Sequence, residues 1–198
     1  MTWKDTYQEW LNQDQLEPAL KEQHVAMDDD QEKEDAFYGP LSFGTAGMRG
    51  LMGPGINRMN VYTVRQATAG LAKLMTSLGE ETMARGVAIS YDSRNNSRLF
   101  AHEAARVLGA QGIKTYIYDD LRPTPELSFA VRHLHTYAGI VITASHNPKE
   151  YNGYKIYGED GGQMPPKESD MMTGYIRQIE DLFNIELADE EELKAQGL

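Results

Sequence analysis

The sequence predicts an α/β fold: a layered, doubly wound, mostly parallel mixed sheet with helices on both faces, preceded by an N-terminal helical arm. Two observations lead to this prediction. From Leu41 onward, short apolar segments alternate with longer segments whose apolar residues recur at helical spacing. This alternation is typical of α/β domains. Before Leu41 only helical spacing is found, so we assign residues 1–40 to the arm and residues 41–198 to the domain.

The arm carries Trp3, Tyr7, Trp10 and Leu11 at positions that fall on one helix face. An apolar face of this kind predicts packing against another part of the protein. The acidic segment 28–35 lacks the glycine and the terminal glutamate of a calcium loop. We therefore interpret it as a solvated connector.

In the domain, buried strands are predicted over residues 86–90, 113–118, 138–143 and 154–157. Helices are predicted from the cap Asn60 to Gly79, from Ser97 to Gly109 or Gly112, from the cap Thr124 to about residue 133, and over residues 166–183. The charged tail 190–194 shows no closing element, and we interpret it as the start of a connection to further domains.

Composition limits the possible partners. The 198 residues contain no cysteine and carry a net charge of −11. Because nucleic acids and anionic membranes attract positive surfaces, this charge disfavours both as partners. No run of about 18 apolar residues occurs, and no disulfide can form, so we expect a cytoplasmic protein. A small phosphate ligand remains compatible, since a few local cations and backbone N–H groups can hold it.

The first chemical motif is Thr-Ala-Ser-His-Asn-Pro at residues 143–148, followed by Asn-Gly-Tyr-Lys at 152–155. Ser145 comes directly after a predicted strand, where α/β sheets place their functional loops, and Asn147 before proline favours a tight turn. A serine hydroxyl is a weak nucleophile that needs a base or a reactive phosphoryl donor, and cations nearby. His146 and Lys155 are the local candidates, although the same residues would also suit a capped structural turn.

Two other loops carry candidate phosphate ligands. In residues 42–50, Ser-Phe-Gly-Thr-Ala-Gly-Met-Arg-Gly, the glycines allow close backbone approach and Arg49 offers a bidentate fork. A plain glycine-rich turn with a surface arginine is the alternative. In Tyr-Asp-Ser-Arg at 91–94, Arg94 could bind phosphate or hold the serine loop, and Asp92 could orient Arg94 or end the strand.

Together, the order and spacing of these three motifs resemble the α-D-phosphohexomutase family of phosphoglucomutases and phosphomannomutases. The resemblance implies that Ser145 is phosphorylated, passes its phosphoryl group to a sugar monophosphate, and recovers a phosphoryl group from the sugar bisphosphate. It also implies that His146 and Lys155 assist proton transfer and charge neutralisation, and that Arg49 supports the phosphoserine. Around the phosphate we expect Thr45, Gly47, Arg94 and Asn147.

The amino-acid sequence of residues 42–50 and the long arm that precedes it resemble one branch of this family. That branch contains the bacterial α-phosphoglucomutases and the animal phosphoglucomutase-2-type phosphopentomutases. Interconversion of glucose 1-phosphate and glucose 6-phosphate is therefore the expected activity. Phosphopentomutase, phosphomannomutase and a non-catalytic sugar-phosphate binding module are the alternatives. A serine hydrolase is disfavoured because no Gly-x-Ser-x-Gly elbow occurs, and because adjacent Ser145 and His146 are poorly placed as a dyad in extended backbone.

Members of that family have four domains, and their magnesium, sugar-selecting and distal phosphate loops lie in the last three. The resemblance thus implies Mg²⁺ and glucose 1,6-bisphosphate as cofactors of the complete enzyme. From this chain, only the phosphate on Ser145 would contribute a metal ligand. The expected partners are a sugar phosphate and the later domains, and we expect no turnover by the isolated chain.

Overall fold

The computed structural model describes residues 2–44 and 47–198. The arm contains the helices α1 (Trp3–Leu11), α2 (Pro18–Val25) and α3 (Asp30–Phe37). Its predicted packing is confirmed, since Trp10 is fully buried against the rings of Phe37, Tyr62 and Phe183. The acidic residues of segment 28–35 are exposed, as predicted. The segment is not a simple connector, however, because it forms α3, which is capped by the Asp29 side chain and anchored by its buried apolar end.

The sheet has the strands β1 (Met48–Leu51), β2 (Val87–Tyr91), β3 (Thr115–Ile117), β4 (Ala138–Ile142) and β5 (Tyr151–Tyr157), in the order β1-β5-β4-β2-β3. β2 pairs in parallel with β3 and β4, whereas β5 runs antiparallel to both β4 and β1. Four strands therefore share one direction, which confirms a mostly parallel mixed sheet. β5 opposes them because the short loop 143–150 that precedes it cannot supply a crossover helix.

Helices cover both faces of this sheet. They are α4 (Val61–Leu78), α5 (Glu80–Arg85), α6 (Ser97–Ala110), α7 (Thr124–Leu134), α8 (Pro166–Arg177) and α9 (Glu190–Gln196). α4 and α6 share the main core with one face of β2 through Val87 and Ile89, while Ala88 points to the other face. There α7 packs with Leu127 and Val131. No helix in the described part of the chain has the length and apolar character needed to span a bilayer.

Most predicted boundaries hold, and the exceptions have local causes. Asn60 caps α4 and Gly79 ends it, as predicted. Thr124 is the first residue of α7 rather than its cap, and the last predicted helix ends at Arg177 instead of residue 183. The tail is not without structure, because it forms α9, whose Leu193 packs on α6. β1 and α5 were not predicted.

Candidate functional site

The candidate site lies where the loops after β2 and β4 meet at the edge of the sheet. These loops carry Asp92 to Arg94 and Ser145 to Pro148, as the sequence predicted for parallel strands. Between them is a polar cleft of about 450 Å³, lined by Asp92, Ser93, Arg94, Asn95, Ser145, Asn147 and Lys149. Larger cavities lie beside α4 and α8 and contain none of the predicted site residues.

Ser145 occupies the second position of a tight turn and has a left-handed backbone, with φ 57°. The Asn147 N–H donates to the carbonyl of Ala144 at 3.1 Å, which closes the turn. The Ser145 N–H donates to Oγ1 of Thr143 at 3.0 Å. A left-handed conformation costs a non-glycine residue about 1–2 kcal/mol, so the surrounding contacts must stabilise it. The turn leaves the serine side chain exposed to the cleft.

His146 lies beside this hydroxyl, with Nδ1 3.4 Å from Oγ of Ser145. The expectation that adjacent serine and histidine are poorly placed was wrong, because the tight turn brings the two side chains together. The imidazole is exposed and makes no other side-chain hydrogen bond within residues 2–44 and 47–198. It can take the proton of the hydroxyl, but no carboxylate in that part of the chain orients it as in a hydrolase triad.

Arg49 reaches the same loop from β1. Its Nη1 donates to Oδ1 of Asn147 at 2.6 Å, so the asparagine side chain orients the arginine. Within the described residues, this bond uses one of the five guanidinium N–H groups, and the others can form a fork for phosphate oxygens. The geometry thus gives Asn147 a supporting role behind Arg49.

The glycine loop before β1 differs from the sequence expectation. Gly47 was expected to turn its N–H toward a phosphate, but this N–H donates to the carbonyl of Gly44 at 2.9 Å. Glycine is required because φ is 105° and a Cβ would lie 2.0 Å from the carbonyl oxygen of Tyr154. Gly47 therefore lets β1 approach β5. Thr45, also expected near the phosphate, lies outside the described residues.

Lys155 faces away from the main core, whereas its neighbours Tyr154 and Ile156 are fully buried in it. This alternation confirms the orientation predicted from the strand pattern. Partial burial lowers the pKa of the Lys155 ammonium, and the Arg49 charge lowers it further, while Asp92 acts in the opposite sense. Lys155 is therefore within electrostatic reach of both flanking loops.

Arg94 does not fit its expected role as a phosphate ligand. Its guanidinium donates to backbone carbonyls of the serine loop, including that of Ser145 at 2.7 Å. Its Nε lies 3.4 Å from Oδ2 of Asp92, the carboxylate that follows the same strand. The alternative considered from the sequence, that Arg94 holds the loop, is the one this geometry favours.

Ser93, Asn95 and Lys149 line the cleft without a predicted role, and Asn152, which supports the site, had none either. Asn152 is fully buried, and its Nδ2 donates to the carbonyl of Asn95 at 3.0 Å and to Oγ of Ser97 at 2.9 Å. Its Oδ1 accepts the N–H of Gly153. Asn152 thereby ties the start of β5 to the start of α6. The sequence feature that could have indicated this role is an asparagine directly before Gly153, at the start of an otherwise apolar strand.

The described residues contain no group of three or more His, Asp or Glu side chains placed to hold a metal ion. Asp92 is the carboxylate that lines the cleft, and Arg94 and Ser97 already engage it. The residues that the structure describes do not form a magnesium site by themselves.

The comparison with family models decides the family. The model described as phosphoglucomutase/phosphomannomutase, alpha/beta/alpha domain I, matches residues 40–182. The chain belongs to this family. Phosphoglucomutase from Staphylococcus saprophyticus is 44% identical over 180 residues, which cover 91% of this chain and 32% of that protein. Phosphoglucomutase from Staphylococcus aureus is 44% identical over 158 residues, or 80% of this chain and 28% of that protein. The chain thus spans about a third of the length of these relatives.

Solved structures agree with the fold. A putative phosphomannomutase from Thermus thermophilus matches with a TM-score of 0.65 and 29% identity, over 80% of this chain and 36% of that one. Parafusin, a phosphoglucomutase from Paramecium, matches in its open form with a TM-score of 0.57 and 20% identity, over 79% of this chain and 29% of that one. The second likeness concerns the fold alone.

Proposed function

We propose that this chain is the phosphoserine-bearing first domain of an enzyme that interconverts glucose 1-phosphate and glucose 6-phosphate. The observation that carries the proposal is the setting of Ser145: a hydroxyl on a left-handed turn at the sheet edge, beside His146, with Arg49 fixed to the same loop. The 44% identity to phosphoglucomutases supports the glucose phosphates as substrates.

In one direction, Oγ of Ser145 attacks the phosphorus of the sugar bisphosphate. The Oγ–P bond forms as the P–O bond to the sugar breaks, and the sugar oxygen takes up a proton. His146 Nδ1 is placed to take the proton from Oγ, and Arg49 to hold the oxygens of the transferring group. In the other half of the cycle, phosphorylated Ser145 gives its phosphoryl group to the free hydroxyl of a sugar monophosphate. The new sugar O–P bond forms as the Oγ–P bond breaks, and the hydroxyl proton is taken up by a base. The bisphosphate turns around between the two transfers, so the phosphoryl group that returns to Ser145 comes from the other end of the sugar.

Lys155 supplies both charge and a proton in this scheme. Its lowered pKa makes the ammonium a better acid at neutral pH than a solvated lysine, because less free energy is needed to release its proton. A cation beside the transferring group also offsets its negative charge. Lys155 and His146 thus divide proton donation and acceptance between them.

The proposal includes residues 1–40 as the arm, residues 41–198 as the first domain, later domains as partners, and a cytoplasmic location. Mg²⁺ and glucose 1,6-bisphosphate belong to the complete enzyme, by which we mean this domain joined to the later domains. Phosphorylated Ser145 would be this chain's only metal ligand, and no step above involves the metal.

Mannose or pentose phosphates are the alternative substrates, and the likeness to a putative phosphomannomutase favours mannose phosphate between these two. A non-catalytic sugar-phosphate module would use Arg49 and Lys155 without transfer. A coupled assay separates the substrates in the complete enzyme, while the 198-residue chain alone should show no turnover.

The carrier role is tested by intact mass measurement of the complete enzyme as purified and after incubation with glucose 1,6-bisphosphate. We expect one phosphoryl group, absent in Ser145→Ala and present in Ser93→Ala, a matched control because Ser93 lines the same cleft. In the complete enzyme, Ser145→Ala should retain less than about a hundredth of the turnover. A fluorophosphonate adduct on Ser145 would support a hydrolase, and an unmodified Ser145 under all conditions would support the binding module.

A further inference from the structure

The serine loop is held by one side chain that spans its whole length. Nη2 of Arg94 donates to the carbonyls of Ser145 and Asn147, each at 2.7 Å. Nη1 donates to the carbonyls of Pro148 at 2.8 Å and Tyr151 at 3.2 Å. Nε, at 3.4 Å from Oδ2 of Asp92, forms an ion pair with this carboxylate rather than a short hydrogen bond. The four N–H groups of the two Nη atoms, which would form the bidentate fork for a phosphate, are therefore all engaged by the protein backbone.

Arg94 is itself fixed by a partly buried hydrogen-bond network. Oδ1 of Asp92 accepts the backbone N–H of Arg94 at 3.0 Å and the hydroxyl of Ser97 at 2.7 Å. The same hydroxyl accepts from Asn152 at the start of β5. The Arg94 side chain is only 14% exposed. The Arg94 guanidinium is therefore held by a hydrogen-bond network that joins the end of β2 to the starts of α6 and β5.

We infer that Arg94 is a positioning residue that keeps the serine loop in its reactive shape. It holds the carbonyl of Ser145, the residue with the left-handed backbone, and at the same time the carbonyls that follow it. Lysine cannot replace it, because three N–H groups on a single nitrogen cannot span carbonyls along the whole loop. The kinetic part of this inference rests on the proposed function, whereas its structural part does not.

The structural part is tested by hydrogen exchange in the 198-residue chain. The amides of Asn147 and Tyr151 close the turns at the two ends of the loop, through Ala144 and Pro148. We expect Arg94→Lys to speed their exchange at least about tenfold, because local opening becomes easier. Arg98→Lys, an exposed arginine on α6, is the matched control and should leave both amides unchanged. Unchanged exchange in Arg94→Lys would overturn the inference.

The kinetic part is tested in the complete enzyme. The Arg94 guanidinium contacts the protein rather than the substrate, so Arg94→Lys should leave KM nearly unchanged. We expect kcat to fall about ten- to a hundredfold because the Ser145 hydroxyl is misplaced. A raised KM with unchanged kcat would identify a phosphate ligand instead. Unchanged kinetics with faster exchange would also overturn the positioning role. A wild-type enzyme without mutase activity would refute the proposed function, and the exchange result would still decide the structural part.

A second variant covers the case in which Arg94→Lys does not fold. Asp92→Asn keeps an oxygen that accepts from the Ser97 hydroxyl and from the backbone of Arg94, although more weakly than a carboxylate, and it removes the ion pair with Nε. We expect the same changes in exchange and kcat with smaller size. A folded Asp92→Asn protein with wild-type exchange and wild-type kcat would count against the inference.

Discussion

Replacing Ser145 by glycine should leave the protein more stable than replacing it by alanine, and either change should abolish phosphoryl transfer. Ser145 holds φ 57°, where a Cβ costs about 1–2 kcal/mol. Glycine relieves this cost but loses about 0.5–1 kcal/mol through its greater freedom in the unfolded chain. Ser145→Ala removes the same hydroxyl and keeps the Cβ. We therefore expect Ser145→Gly to be more stable than Ser145→Ala by roughly 0.5–1 kcal/mol.

The comparison is made by urea unfolding and thermal melting of the 198-residue chain. For a domain of this size, the expected difference corresponds to about 1–4 °C in Tm. Ser42 provides the control position, because it is exposed and is not among the residues with positive φ. At Ser42 the glycine variant should be the less stable of the pair. If Ser145→Ala is as stable as Ser145→Gly or more stable, the backbone at position 145 is not strained by a Cβ and the prediction is wrong.

Three further perturbations test other parts of the structure. Lys155→Met in the complete enzyme should lower turnover at least about tenfold and leave the unfolding midpoint unchanged, because it removes a cation but little packing. Unaltered turnover of fully phosphorylated enzyme would refute a role of the Lys155 ammonium in phosphoryl transfer. Gly47→Ala should destabilise the chain by more than about 1 kcal/mol, because φ is positive and the new Cβ would collide with the β5 backbone. Gly44→Ala is the control, since its Cβ would have no contact closer than 3.9 Å. Equal unfolding midpoints of the two variants in denaturant would contradict this prediction. Burial lowers the pKa of His24 from 6.5 to about 4, so the folded arm holds a neutral imidazole. Stability should fall as the pH drops from 6.5 toward 4, by about 2 kcal/mol from pH 8 to pH 5, and His24→Phe should lack this component in urea titrations at the two pH values.

The elements that the sequence predicted depend on local patterns. The helical spacing after Asn60 is readable because residues three or four apart share one packed face. The apolar segments of β2 and β4 are readable because both faces of these strands are buried. Alternation along β5 also predicted which face Lys155 occupies. β1 was missed because its four residues lie among glycines and pair with a strand about a hundred positions away.

The sequence by itself determined which chemical groups reach the sheet edge: a serine after β4, an arginine after β2, and a second arginine after the glycine loop. How many N–H groups each arginine donates to the protein was decided only by the tertiary structure. Within the described residues, Arg49 donates one N–H, to Asn147, whereas Arg94 donates four to carbonyls that lie more than fifty residues away and pairs its Nε with Asp92 at 3.4 Å. The physical reason is that the two side chains have identical hydrogen-bonding capacity, and only the folded backbone fixes how many acceptors surround each of them.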